Sequence, residues 1–360
     1  MSSTLFYPLR VVDITSQTKN CVAISFEVPK DMAEKFKYRA GQYLTFKADI
    51  NGEEIRRSYS LCSIPSDNHM TVAVKKLKGG KFSTFANENL KTGDILDVMT
   101  PKGNFILDQH HDNNSFVFFA AGSGITPVIS QIKDTLLNRP LSNVTLIYGN
   151  RNLESVIFRE ELEGLKNKFI DRLSIYYIFS RQKTDSSLLY GRIGKEKCIE
   201  MSKVFFSIKD ADAYLICGPN EMIFDVKEAL EESGVPSDKI HFELFNTEGL
   251  KNTSLPSEAL TNIEKLKESL ITVQMDGSVF KFSMAYGEQN LLDAAISHGA
   301  DLPFSCKGGV CSTCKAKITE GKVDMDRNYA LEPYEIEAGY ALLCQSHPRT
   351  TSVFVDFDQK

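Results

Sequence analysis

The sequence of 360 residues has no block of lysine and arginine and no interleaving of basic with aromatic residues. That removes the electrostatic footprint of nucleic-acid binding, and the balance of charge is instead mildly acidic, at −5. No apolar run approaches the roughly eighteen residues of a membrane span. The opening Met1-Ser-Ser-Thr-Leu-Phe-Tyr-Pro-Leu-Arg10 lacks the apolar core of a signal peptide, so a cytoplasmic protein is expected. Disulfides are rare in that compartment, and the eight cysteines need another use. Tryptophan is absent, and there are no internal repeats or long low-complexity tracts. What is there is an ordinary globular composition, on a length that predicts two or three domains of about 100–200 residues each.

Four cysteines form a spaced set: Cys306, Cys311, Cys314 and Cys344. The pattern C-x4-C-x2-C…C is the plant-type spacing that ligates a [2Fe–2S] cluster. Three thiolates must converge from one short loop, and Gly308 and Gly309 permit the tight backbone that this needs. Amide hydrogen bonds to the sulfurs are one lever on the potential of such a cluster. Tyr340-Ala-Leu-Leu343 reads as a buried strand that brings Cys344 back to the loop. A structural zinc site is the second reading, although zinc sites favour two short ligand pairs over a three-plus-one set. Disulfides are the third. Cys21, Cys62 and Cys198 are scattered and read as small buried hydrophobes.

Residues 1–110 read as β-rich, with short strands at Val22–Val28, Tyr43–Phe46 and Met70–Lys75 broken by Gly, Pro, Asp and Asn. An antiparallel barrel or sandwich is expected there. From 111 to 248 the pattern changes. Phe116–Ala121 is a continuous apolar run, as for a strand buried on both faces. Strands at Val144–Tyr148, Leu173–Phe179 and Ala213–Cys217 alternate with helices at Pro127–Leu137, Glu160–Lys168 and Glu221–Ser233. Alternation predicts βαβ units around a parallel sheet. Residues 249–268 read as a polar linker, with a helical turn near Ile263–Leu266. From 269 to 360 an α+β domain is expected. Its first two strands meet at Asp276-Gly277, a hairpin signal, and a helix at Asn290–His298 leads to the cysteine loop.

Three further motifs carry chemistry. Arg57-Ser58-Tyr59-Ser60 follows strand-like text, with Val74-Lys75 and Gly79-Gly80-Lys81-Phe82-Ser83 beyond it. Gly122-Ser-Gly124-Ile-Thr126-Pro127 sits between a buried strand and a helix, where glycines let phosphates approach. Cys217-Gly218-Pro219-Asn-Glu-Met222 lies further along the same domain. Together these resemble the ferredoxin–NADP reductase superfamily. The resemblance implies a flavin held by Arg57, Ser58, Tyr59, Val74, Lys75, Gly80, Lys81, Phe82 and Ser83, with Arg57 on a phosphate and Ser60 near the flavin N5. It places NADPH on Gly122, Gly124, Thr126, Pro127, Gly218, Pro219 and Met222. Cys217 then lies beside the nicotinamide and guides hydride transfer by position, not by nucleophilic attack. Ser180-Arg181, helped by Arg151, implies a grip on the 2′-phosphate of NADPH, with Asp185 as a contrary charge. Glu243 and Phe245, in His241-Phe-Glu-Leu-Phe245, would lie near the flavin, and an ordinary last strand is the competing reading.

The whole chain is similar to flavin reductases fused to a C-terminal plant-type ferredoxin, with a flavin barrel, a parallel-sheet nucleotide domain and a β-grasp-like ferredoxin domain. Gly321-Lys-Val-Asp-Met-Asp-Arg-Asn-Tyr-Ala-Leu-Glu332 and Gly339-Tyr-Ala-Leu-Leu-Cys-Gln-Ser-His-Pro348 narrow the resemblance to the reductase subunits of phenylacetyl-CoA epoxidases. That family implies FAD, NADPH and [2Fe–2S] as cofactors and a diiron oxygenase as electron acceptor, with no nucleic-acid or membrane partner. A reductase for a Rieske dioxygenase or another hydroxylase is one alternative. A non-catalytic electron-transfer subunit is another, and the intact glycine and cysteine motifs argue against it.

Overall fold

The computed structural model describes residues 6–107, 113–246, 268–287 and 289–359. They fall into two compact units, Phe6–Leu244 and a C-terminal unit from Phe245 onward. In the larger unit, six antiparallel strands come first: β1 (Tyr7–Thr18), β2 (Cys21–Glu27), β3 (Tyr43–Ile50), β4 (Glu53–Ser60), β5 (Met70–Lys75) and β6 (Ile95–Val98). Their order is β4-β3-β6-β1-β2-β5, and a bridge between Leu61 and Val72 joins the two ends into a barrel. Inward positions carry Leu9, Ile24, Phe26, Leu44, Phe46 and Val72, all essentially fully buried. Each such side chain contributes about 1.5–3 kcal/mol relative to exposure. Helix α1 (Lys81–Glu88) closes one side by inserting Phe82, whose ring lies 6.0 Å from Phe46. Arg57-Ser-Tyr-Ser60 is thus the end of β4 itself.

The second half of this unit holds five parallel strands: β7 (Ser115–Ala121), β8 (Asn143–Asn150), β9 (Leu173–Phe179), β10 (Ala213–Cys217) and β11 (Ile240–Glu243). Their order is β11-β10-β7-β8-β9. The chain leaves β7 toward β8 on one side and returns to β10 on the other. This makes the C-terminal ends of β7 and β10 a topological switch point, where open α/β sheets bind ligands. Helices α2 (Ile125–Asn138), α3 (Arg159–Lys168), α4 (Lys195–Ser202) and α5 (Asn220–Glu232) flank the sheet. Burial runs nearly all round α2, unlike a surface helix. The reason is that the core of this sheet is continuous with Cys21, Ala23, Cys62, Ala73 and Phe105 of the barrel. Ser130 Oγ donates to the Ser63 carbonyl at 2.6 Å and Gln131 Nε2 to the Phe105 carbonyl at 2.9 Å, so α2 is pinned to the barrel.

The smaller unit contains β12 (Glu268–Met275), β13 (Ser278–Ala285), α6 (Leu291–Ser297), β14 (Lys315–Glu320), β15 (Val323–Met325), α7 (Pro333–Glu337), β16 (Tyr340–Leu342), β17 (Ser346–Pro348) and β18 (Ser352–Asp356). The main sheet is ordered β13-β12-β18-β14-β16, with β12 and β18 parallel. The β12–β13 turn takes positive φ at both Asp276 (50°) and Gly277 (73°), as a two-residue hairpin requires. Asn290 caps α6 by accepting from the Asp293 amide at 2.9 Å. β12 begins at Glu268, the last residue expected in the linker, because its backbone pairs with Ala285. The helical turn expected at Ile263–Leu266 lies outside the described residues. Among the described residues no helix is long and apolar enough to cross a membrane.

Candidate functional site

Three strand ends converge in the larger unit. β4 ends on Ser60, β10 on Cys217 and β11 on Glu243. Cys217 and Glu243 are register partners across the parallel pair. Ser60, buried, donates its hydroxyl to Glu243 Oε2 at 3.1 Å. Burial pushes the Glu243 carboxyl up to about 8, against the pull of the Ser60 hydroxyl, so it is largely neutral at pH 7. Cys217 is fully buried, and burial together with the Glu243 charge pushes its thiol well above its usual range. It is a thiol held protonated in the folded protein. Phe245, just beyond this unit, is exposed.

The side chains expected to hold a flavin run along β4 and the start of α1. Tyr59 is half-buried, its ring 5.4 Å from Phe82, and burial pushes its hydroxyl well up. Arg57 is exposed and donates to the Arg56 carbonyl at 2.7 Å. Ser58 shares a hydrogen bond with Thr45, at 2.8 Å. Ser83 Oγ accepts from the Leu77 amide at 3.1 Å and thereby fixes the Gly79-Gly80 turn at the start of α1. Lys81 is ion-paired with Glu53. Val74 has its side chain inside the barrel core, and its carbonyl accepts from Asn87 Nδ2 at 3.0 Å.

Lys75, its neighbour, lies beside the Gly122 turn. A Cβ built on Gly122 would meet Lys75 Nζ at 3.2 Å and nothing else. Burial lowers the Lys75 ammonium, and the nearby Arg151 charge adds to that. A desolvated cation facing a glycine turn is matched to an anionic ligand. Two residues that sequence reasoning passed over complete the turn. The buried Tyr148 hydroxyl donates to the Gly122 carbonyl at 2.9 Å, holding Gly122 at φ 53°. Asn150 is buried at the same strand end, beside the Tyr148 hydroxyl. Both belong to Tyr148-Gly-Asn-Arg151, the only signal that could have flagged them. Gly124 packs directly on Cys217 and Gly218, and Met222 covers Gly218. Thr126 donates to the Ser123 carbonyl at 3.1 Å, Pro127 is buried within α2, and Pro219 precedes α5. Beyond the ends of β8 and β9, the Arg181 amide donates to the Arg151 carbonyl at 2.9 Å and that of Ser180 to Asn150 at 2.9 Å. The two exposed arginines therefore leave the sheet side by side. These features fit a flavin and a nicotinamide nucleotide.

In the smaller unit the four cysteines sort into two pairs. Cys306 hydrogen-bonds with Cys311, and Cys314 with Cys344. Donation from Cys311 and from the amides of Gly308, Val310 and Cys311 holds the Cys306 thiol down, to about 6. Donation from Cys314 and Gln345 lowers Cys344 likewise. Lys307 and Gly309 take positive φ, at 51° and 77°, which turns the loop amides toward the sulfurs. Gln345 Nε2 donates to the Lys307 carbonyl at 3.0 Å and ties the loop to the strand end bearing Cys344. Among the described residues no three Cys, His, Asp or Glu side chains gather for a single ion. Two sulfur pairs with convergent amides suit a two-iron cluster, not one zinc, and none of the eight cysteines is in a disulfide.

Comparison with known proteins agrees with this geometry. Residues 8–106 match the oxidoreductase FAD-binding domain family, 118–228 the oxidoreductase NAD-binding domain family and 273–349 the 2Fe-2S iron-sulfur cluster binding domain family. The chain is 42% identical to a subunit of 1,2-phenylacetyl-CoA epoxidase from Escherichia coli (strain K12), over 99% of both chains. It is 34% identical to the ferredoxin reductase component of 3-ketosteroid-9-alpha-monooxygenase from Rhodococcus rhodochrous, over 97% of this chain and 96% of that one. The crystal structure of phthalate dioxygenase reductase shares the fold across 98% of each chain, with a TM-score of 0.59 at 23% identity. The chain belongs to the family of oxygenase reductase components, NAD(P)H-dependent oxidoreductases with FAD and [2Fe–2S] domains, that includes this phenylacetyl-CoA epoxidase subunit.

Proposed function

We propose that this chain draws electrons from NADPH and delivers them to the diiron oxygenase component of a phenylacetyl-CoA ring epoxidase, in the cytoplasm. The observation that carries the redox chemistry is the meeting of Ser60, Glu243 and Cys217 at three strand ends. The observation that favours this acceptor is the full-length match to the epoxidase subunit. When bound, FAD accepts a hydride and releases electrons singly, and a [2Fe–2S] cluster carries one at a time. The protein supplies the rest. Ser60 Oγ and the neutral Glu243 carboxyl hold a proton beside the flavin edge, Cys217 shapes the nicotinamide pocket, and Tyr59 and Phe82 form a wall. Arg57, Ser58, Gly80, Lys81 and Ser83 bind the flavin chain. Gly122, Gly124, Thr126, Pro127, Gly218, Pro219 and Met222 form the nicotinamide cradle. Lys75 faces its phosphates, and Arg151 with Ser180 and Arg181 takes the 2′-phosphate. Cys306, Cys311, Cys314 and Cys344 ligate the cluster. We set the domain limits at 1–110, 111–248 and 268–360, with 249–267 joining the last two, because Glu268 already pairs in β12.

Anaerobic NADPH should bleach both the flavin and the cluster of purified holoprotein, and a cluster that stays oxidised would refute the proposal. Arg151→Ala combined with Arg181→Ala should raise KM for NADPH about tenfold or more while leaving NADH unaffected, since each removes a charge-assisted bond to a phosphate that NADH lacks. Equal losses for both nucleotides would remove the 2′-phosphate assignment. A hydroxylase resembling the ketosteroid system is a second candidate acceptor, favoured by the 34% identity to its reductase component. Reconstitution of substrate turnover with each oxygenase separates the two.

A further inference from the structure

Cys344 and Gln345 lie together in one short helical turn, Leu343–Gln345, and both are buried. Glutamine is mostly an exposed residue, and a buried one needs partners for its amide. The Gln345 amide nitrogen has three acceptors within reach. Nε2 lies 3.0 Å from the Lys307 carbonyl, 2.8 Å from the Cys344 carbonyl and 3.7 Å from Cys344 Sγ. An amide nitrogen of this kind carries two hydrogens. The Lys307 carbonyl takes one, so the carbonyl and the sulfur of Cys344 share the other. The side chain has little freedom to turn elsewhere. Its Cγ would lie 3.1 Å from a Cβ built on Gly309, and the Gly309 carbonyl accepts from the Tyr329 amide at 3.0 Å. The Gln345 carbonyl accepts from the Asp326 amide at 2.8 Å. The cysteine loop and the segment 326–329 thus fix one amide dipole beside one ligand sulfur.

We propose that the Gln345 side chain raises the reduction potential of the cluster, by giving Cys344 Sγ a hydrogen bond that strengthens when an electron arrives. This rests on the assignment of the four cysteines as ligands. A reduced cluster carries one more negative charge than an oxidised one, spread over iron and sulfur. A shared hydrogen moves toward the acceptor that gains charge, so the branch to Sγ tightens on reduction and the branch to the carbonyl loosens. Only an interaction that differs between two states shifts the balance between them. The hydrogen stays on nitrogen throughout: one electron enters and no proton is transferred. Burial strengthens the effect, because water does not compete for the sulfur. The donors to Cys306, at Gly308, Val310 and Cys311, include backbone amides that any side chain at those positions would keep. Gln345 is a donor that a single substitution removes, and so a point at which the sequence adjusts the potential.

The test is an anaerobic redox titration of full-length holoprotein, read by the low-temperature EPR signal of the reduced cluster. Gln345→Met keeps the length of the side chain and its packing on Gly309, and removes both hydrogens. Its cluster should hold an electron about tenfold more weakly, a fall of about 59 mV in the midpoint of a one-electron couple. Iron content per chain gives the loaded fraction, and only loaded clusters contribute to the signal. A loaded Gln345→Met cluster with the wild-type midpoint overturns the proposal and leaves the glutamine a purely structural tie. A second measurement needs no variant. In wild-type protein carrying heavy nitrogen in its glutamine side-chain amides, pulsed EPR of the reduced cluster should show coupling to that nucleus. Absence of the coupling overturns the proposal even where Gln345→Met fails to load. Reduced wild-type protein with no cluster signal at all overturns the assignment of the four cysteines instead, and this role with it.

Discussion

Glu243 is a carboxyl whose environment decides its charge. Its pKa rises from the ordinary 4.5 to about 8 on folding, through burial. A raised acid pKa means that the folded state holds the proton while the unfolded state loses it. Stability is therefore full below about pH 4.5 and falls as pH climbs to about 8, beyond which the loss is complete. Glutamine cannot ionise, so the melting temperature of apoprotein Glu243→Gln should pull ahead of the wild type as pH rises from 5 to 8, then stay ahead. Parallel melting curves across that range would show that the carboxyl is not desolvated. Cys217 makes the complementary case. Its thiol is held protonated by burial and by Glu243, so iodoacetamide at pH 8 should leave it unmodified in folded protein and label it after denaturation. Labelling of Cys217 in the native state, mapped by peptide mass, would show that the thiol is not held protonated.

At the scale of elements, the β7–α2 turn distinguishes two glycines that look alike in sequence. A Cβ on Gly124 would lie 2.0 Å from the Cys217 carbonyl oxygen and 2.7 Å from the Gly218 nitrogen, both backbone atoms that cannot step aside. On Gly122 it would meet only a lysine tip, and the cost is that of φ 53°. Gly124→Ala should thus lose about 1–3 kcal/mol in urea unfolding and most NADPH-driven flavin reduction, as the ends of β7 and β10 are forced apart. Gly122→Ala should cost less than Gly124→Ala, about 1 kcal/mol, the strain of a left-handed residue. Equal costs would mean that the turn relaxes. The turn was legible in sequence because glycines between an apolar run and a helix have few other uses, and the cysteine set and the Asp276-Gly277 hairpin were legible for the same reason. Pairings between distant segments were not. Nothing local in Glu335 announces Lys315, twenty residues away, and nothing local in Tyr148 announces its bond to the Gly122 carbonyl. Strand alternation separates Val74, whose side chain is inside the barrel, from Lys75, whose side chain is outside it. The polar start of β12 was missed because its partners, Ala285 and the residues before it, supply the order that its own sequence lacks.

The molecule as a whole is divided by its cores as well as by its chemistry. The buried cluster of the smaller unit is drawn entirely from residues between Ile271 and Val355, while the barrel and the parallel sheet share theirs across α2. A segment with its own core can fold alone, and a shared core cannot be cut without exposing it. Expressed separately, residues 6–246 should bind FAD and reduce ferricyanide with NADPH, and residues 268–360 should hold two iron atoms per chain. A cut between the barrel and the sheet, at residue 112, should give insoluble protein, since α2 would lose Ser63 and Phe105. When the two soluble pieces are mixed, the rate of cluster reduction should rise in proportion to the concentration of the ferredoxin piece. In the intact chain the same rate should be independent of protein concentration, because the tether fixes the local concentration of one unit around the other. Stopped-flow absorbance of the cluster reads both cases. A concentration-dependent rate in the intact chain would mean that electrons cross between molecules, and that covalent linkage of the two units serves something other than transfer.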